Sequence, residues 1–390
     1  MKTILFRCAL GGMLAAAAFA QIPVRYTVTD LGLVGGPPGQ PIIIMNNGLV
    51  GGSAAVAGGT WHAMYWYKGM KIDVGKPGLG GSSTVFGLNE RGSGVGGAET
   101  ANPDPGREDF CGFGSQHLCL PFVWQYGVMT ALPTLTDSSG EAARNGVANA
   151  INNRGEIAGT SENTTLDSTC PPIDGPLGQY QKLQFKPVVW QSGKVQELLT
   201  IDQDPDGIAF SVNDRGQVVG GTGTCTAFQA NGDLTYLFSM HATIWQNGTV
   251  TDLGSLGGLA AGGGNLALHI NNRGQAVGQS GTPDGTFHGF LWSREAGMLD
   301  VGTMGDDVGS VALFINDAGD IVGISFDADF NPRAFLRPDG GKPVDLNSLI
   351  PKGSELYLID ACSIDSRGEI IGIALDAKGN AHGYLATPGY

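Results

Sequence analysis

Short apolar runs alternate with polar turns along almost the whole chain, and the alternation is itself repeated. In His269-Ile270-Asn271-Asn272-Arg273-Gly274-Gln275-Ala276-Val277-Gly278 an apolar run leads into a polar turn that closes on Gly, and a second run follows that also ends in Gly. Further copies place the turn glycines at positions 48, 92, 155, 216, 274, 319 and 368, in steps of 44, 63, 61, 58, 45 and 49 residues. A base period in the mid-forties with insertions belongs to a propeller or a solenoid.

Two more runs follow each copy. The first is aromatic, as in His62-Ala63-Met64-Tyr65-Trp66 and His288-Gly289-Phe290-Leu291-Trp292; the second comes after a Gly turn, as in Val250-Thr251-Asp252-Leu253-Gly254. Each unit therefore predicts four strands of about five residues, A to D, with Gly/Asn turns and no 3.6-residue period. The seventh unit stops after strand C, and its missing D strand is found at the other end, at Tyr26-Thr27-Val28-Thr29-Asp30-Leu31-Gly32. A linear solenoid has no need of that exchange, whereas a ring closes by it. The predicted fold is all-β: a seven-bladed β-propeller of four-stranded antiparallel blades, the N-terminal strand closing the last blade. Trp66, Trp124, Trp190, Trp245 and Trp292 hold one register in strand C, where they are expected to fill the space between diverging sheets.

The His-Ala-aromatic segments, the Asn-Asn-x-Gly turns and the Asp-Leu-Gly strands resemble the HAF-repeat family of extracellular proteins, over roughly residues 24–386. The resemblance implies an exported repeat scaffold; it brings no activity and no catalytic residues to carry over. Unit 6 departs from the pattern, with Arg333 in place of His and Arg337 in place of Trp, and so do the strands led by Pro121 and Pro187.

Lys2 and Arg7 precede an Ala-rich apolar run from Ala9 to Ala18, and Ala18-Phe19-Ala20 fits a small-x-small cleavage site, so residues 1–20 read as a secretory signal peptide and 21–390 as one domain. Loss of Lys2 and Arg7 takes the formal charge from -14 to -16. That argues against nucleic acid and anionic membranes as partners. No later run is long enough to span a bilayer as a helix. An exported chain permits disulfides: Cys111 and Cys119 bracket a Gly-rich segment and are expected to pair, Cys170 and Cys225 form a plausible second bridge, and Cys362 reads as a small buried residue.

The long steps all arise in the B–C connection, at residues 98–120, 160–186 and 221–240. In an up-and-down blade the B–C and D–A connections share one face, so three neighbouring units build up one side. Insertions on one face of a repeat protein mark a candidate binding face, and the expected partner is an extracellular glycan or protein. Asp202, Asp204 and Asp206 are spaced like the first half of a calcium loop, although Asn213 stands where a bidentate Glu would be; a bound Ca2+ is weighed against a solvated acidic loop. His62, His241, His288 and His382 share one position, as do Asp30, Asp73, Asp252, Asp300 and Asp345, so both sets read as architecture. His117, beside Glu108 and Asp109, is not repeated and is a candidate metal or acid–base group. No nucleophile elbow, phosphate loop or zinc motif is present. The reading is a non-enzymatic binding scaffold; the alternative is a secreted polysaccharide hydrolase or lyase with carboxylates near the propeller axis.

Overall fold

The computed structural model describes residues 25–33, 41–56, 58–76, 78–104, 106, 108–136, 145–169, 183–228, 234–258 and 264–389, without the side chains of 225–240. The expected leader and Cys170 fall outside these residues, and so does the Cys225 thiol.

Seven antiparallel sheets form a seven-bladed β-propeller. In chain order A to D, blade 1 is Pro41–Ile44, Val50–Ala55, Trp61–Tyr67 and Met70–Asp73; blade 2 is Gly80–Leu88, Gly94–Pro103, His117–Gln125 and Val128–Ala131. Blade 3 is Gly146–Ile151, Ile157–Leu166, Leu183–Gln191 and Lys194–Glu197; blade 4 is Asp206–Val212, Val218–Phe228, Leu234–Gln246 and Thr249–Asp252. Blade 5 is Leu266–Ile270, Ala276–Gly281, Phe287–Ser293 and Gly297–Asp300; blade 6 is Gly309–Ile315, Ile321–Phe326, Pro332–Arg337 and Val344–Asp345. Blade 7 has a split A strand, Tyr357–Leu358 and Ser363–Ile364, then Ile370–Leu375 and Ala381–Gly389. Its D strand is Arg25–Leu33, paired from Arg25↔Gly389 to Leu33↔His382, so the ring closes as the sequence predicts.

The Gly at the third place of the B strand, as at Gly220, Gly278 and Gly323, has a steric cause. Strand A bulges in blades 1 to 6, for instance between Ala209 and Ser211 in blade 4 and between Ala267 and His269 in blade 5. The bulge pushes a strand A carbonyl over strand B. A Cβ on Gly220 would lie 1.9 Å from the Ile208 carbonyl oxygen, on Gly278 1.9 Å from that of Leu266, and on Gly323 2.0 Å from that of Val311.

The Asn-Asn turns tie the blades to one another. Asn213 Oδ1 accepts the N–H groups of Arg215 and Gln217 in its own turn, while its Nδ2 donates to the Asn271 carbonyl of the next blade at 2.9 Å. Asn89, Asn152, Asn271 and Asn316 make the same forward bond. The second position forms a parallel belt: Asn153 N–H donates to Asp214, Asp214 N–H to Asn272, and Asn272 N–H to Asp317.

Two expectations need correction. The fully buried bulk in strand C sits two residues before the Trp register, at Phe122, Phe290, Phe335 and Tyr384; Trp190 and Trp245 are buried, whereas Trp66, Trp124 and Trp292 are half-exposed. A side chain two places earlier lies on the same sheet face but nearer the middle of the blade, where neighbouring sheets close on both sides. The strands are also not uniformly short: the B strands of blades 2 to 4 run 10, 10 and 11 residues, against 6 in blade 1.

Candidate functional site

The B–C segments of blades 2 to 4 are thus continuations of the blades as much as loops. In blade 4 strands B and C stay paired from Val218↔Trp245 out to Phe228↔Leu234, a two-stranded ribbon rising from the face. In blade 2 the ribbon returns through a Gly-rich turn closed by the Cys111–Cys119 disulfide, with Cα atoms 5.6 Å apart. Cys119 is also held from blade 3, its N–H donating to Asn145 Oδ1.

Beneath these ribbons lie acids from separate segments. Asp104 Oδ1 accepts from Glu108 N–H and Asp104 Oδ2 from Asn145 Nδ2; Asn145 N–H donates to Glu162 Oε2. Asp104, Glu108 and Glu162 are all buried. Burial raises the Glu162 carboxyl above the ordinary range, against the hydrogen bonds from Asn145 and Glu108. Glu99 takes the Ser115 hydroxyl and the Ser82 N–H, and burial raises its pKa too, with Asp109 and His117 acting on it in opposite directions. His117 and Asp109 thus act on Glu99, while Glu108 belongs to the Asp104–Glu162 group.

A second group joins blades 3 and 4. Asp206, fully buried at the start of its A strand, accepts from Phe185 N–H at 3.0 Å. Its pKa is pushed up to about 8, first by burial and then by the neighbouring Asp167 carboxyl. A buried carboxyl with a second carboxyl beside it holds its proton more tightly, because both surroundings disfavour its ionised form. Asp204 is buried and accepts from Thr222 Oγ1 at 2.7 Å, and Asp202 is exposed in a left-handed backbone conformation. The calcium-like spacing therefore places its three carboxylates in three different settings. Among the described residues no three His, Cys, Asp or Glu side chains form a group that could hold a metal ion.

The Asp206 shift has a sign that can be tested. From about pH 4, where an unfolded Asp titrates, up to about 8 the folded chain keeps a proton that the unfolded chain has lost. Stability should therefore fall as pH rises through that window. Thermal melts between about pH 5 and about pH 9 should show a drop of several degrees that Asp206→Asn flattens; an unchanged slope in that variant would rule out this carboxyl as the cause.

The repeated His and Asp are partners. The Nδ1 atoms of His62, His241 and His288 lie 2.8 Å from Oδ2 of Asp73, Asp252 and Asp300, and that of His382 lies 2.9 Å from Asp30 across the ring closure. In blade 6 Arg333 takes the His place, its guanidinium on Asp307 and 3.9 Å from Asp345. These pairs join strands C and D and are spread round the rim. Cys362 is a free thiol, half-buried rather than fully buried, and donates to Asp360 Oδ1 at 3.3 Å. A groove of about 300 Å³ lies between blades 3 and 4 towards the tight-turn side, lined by Glu156, Gln191, Gly216, Trp245 and Asn247 among others. Repetition makes the His–Asp set legible; the buried acids and this groove join segments far apart in the chain and leave no mark on the spacing. No model of a known protein family matches the chain, and no curated protein does.

Proposed function

We propose that this is an exported, non-enzymatic scaffold of the HAF-repeat kind that binds a glycan, peptide or cell-surface partner through the B–C face of blades 2 to 4. The observation that carries the reading is three consecutive ribbons raised on one face, one of them closed by a disulfide and packed over hydrogen-bonded acids shared with its neighbour. Strand pairing, the disulfide and these hydrogen bonds restrain the described parts of the ribbons, and pre-organised elements present a ligand surface at low entropic cost. The signal-like leader and the disulfide support export.

The alternative, a polysaccharide hydrolase or lyase, draws on one observation. Asp104, Glu108 and Glu162 are unrepeated acids gathered on this face, and Glu162 is biased towards its protonated form, as a general acid would be. Their burial weighs against it, because a catalytic acid must reach its substrate.

Residues 21–390 screened on a glycan and peptide array should capture one ligand class. Replacing 98–120, 160–186 and 221–240 with short turns should abolish capture while unfolding remains cooperative. Capture retained by that variant would refute the site. Release of reducing ends from a polysaccharide, lost in Glu162→Gln, would establish the enzyme instead.

A further inference from the structure

The short turns between strands B and C in blades 5, 6 and 7 are one device with one exception. Each is closed by the same backbone bond: Gly285 N–H donates to the Thr282 carbonyl, Phe330 N–H to that of Asp327, and Gly379 N–H to that of Asp376. In blade 7 Asp376 Oδ1 accepts the N–H groups of Lys378 and Asn380, and Asn380 Nδ2 returns to Asp376 Oδ2. Blade 6 repeats every one of these bonds with Asp327, Asp329 and Asn331. The residue before the last is left-handed in all three blades: Gly285 at φ 86°, Gly379 at φ 81°, but Phe330 at φ 61°. That conformation suits glycine and strains phenylalanine. Burial does not compensate, since Phe330 is 70% exposed.

The ring is nonetheless supported. Phe330 stacks on Phe326 with centroids 5.9 Å apart and planes at 21°, and Phe326 leans on Phe287 of blade 5 at 5.1 Å. Phe326 is buried and seated against Gly309, where an added Cβ would fall 2.2 Å from its ring. The turn thus strains its backbone to hold an aromatic face outward on a firm base.

We infer that Phe330 is a stacking platform for a pyranose ring of a neutral glycan, placed on blades 5 and 6. One aromatic ring offers on the order of 150 Å², far below the roughly 800 Å² per partner of a stable protein interface, but it matches a single sugar whose axial C–H bonds lie flat on the ring. Exposed Asp329, in Phe330's own turn, and exposed Asp284, in the corresponding turn of blade 5, would offer carboxylate oxygens to a ligand's hydroxyls. The inference shares with the proposed function the reading of this face as the binding face, but it uses different blades.

Saturation-transfer NMR with cellohexaose and with chitohexaose tests it. The wild type should transfer saturation to the ring protons of at least one of them. Phe330→Gly should bind at least tenfold more weakly while melting at the same temperature or higher, because glycine relieves the turn; a purely structural Phe330 would lower the melting temperature instead. Phe330→Trp should retain binding. No transfer from the wild type, or equal affinity in Phe330→Gly, overturns the platform. The variant lacking the ribbons of blades 2 to 4 should keep this binding; its loss there would move the sugar site to the ribbons and overturn the platform alone.

Discussion

Gly220→Ala should destabilise the protein by about 3 kcal/mol or more, a large effect for a single methyl group. The added Cβ would lie 1.9 Å from the Ile208 carbonyl oxygen, 2.9 Å from its carbon and 3.0 Å from Ala209 Cα. All three contacts are backbone, so no rotamer change relieves them. The strand A bulge would have to open or strands A and B to part, and both lie in the innermost layer of the ring. Gly248→Ala is the control: Gly248 is left-handed at φ 75° with nothing within 4 Å of an added Cβ, so only backbone strain of about 1–2 kcal/mol is expected. Urea midpoints of the two variants should differ clearly. A Gly220→Ala protein as stable as Gly248→Ala would mean that the bulge yields easily and does not explain the repeated Gly.

That glycine shows why so much of the fold is readable from the chain. A bulge in the A strand demands a Gly in the facing B strand, and a blade-to-blade belt demands an Asn that both accepts and donates. Each constraint recurs wherever such a blade does, so the motif is a direct imprint of the geometry. Where the constraint lapses the letter changes. Met45 and Asp365 stand in the Asn position without a side-chain amide to donate, and at the junction of blades 7 and 1 Ser366 N–H donates to Asn46 Oδ1.

Features built once are less legible. The ribbon of blade 4 passes through Thr222-Gly223-Thr224, which reads as a loop by composition but pairs as strand because strand C runs alongside it. The acids at 104, 108 and 162 meet only through packing of two blades. Phe330 escapes notice for a different reason. Its signal is present, as a phenylalanine at a turn position that is Gly in blades 5 and 7, but it becomes visible only when the B–C turns are aligned with one another.

Removing residues 1–33 should leave a chain that does not fold to a stable monomer. Arg25–Leu33 supplies the whole outer strand of blade 7, and its loss bares the edge from His382 to Gly389. Tyr26 is buried in the apolar cluster that holds Tyr384, Ala386, Leu358 and Ile364, and its N–H donates to the Leu349 carbonyl. Loss of one large buried aromatic costs about 3–5 kcal/mol, a sizeable part of the roughly 5–15 kcal/mol that holds a typical domain together. The lost strand pairing and the His382–Asp30 contact come on top of that. An unpaired edge over an apolar cluster recruits other chains, so the truncated protein should elute in aggregates. A synthetic peptide of residues 24–33 added during refolding should restore monomer and raise the melting temperature with peptide concentration, as mass action requires. Truncated protein that melts like the full chain without peptide would show that the other six blades hold the ring shut on their own. The strand would then be an ornament on a ring already closed.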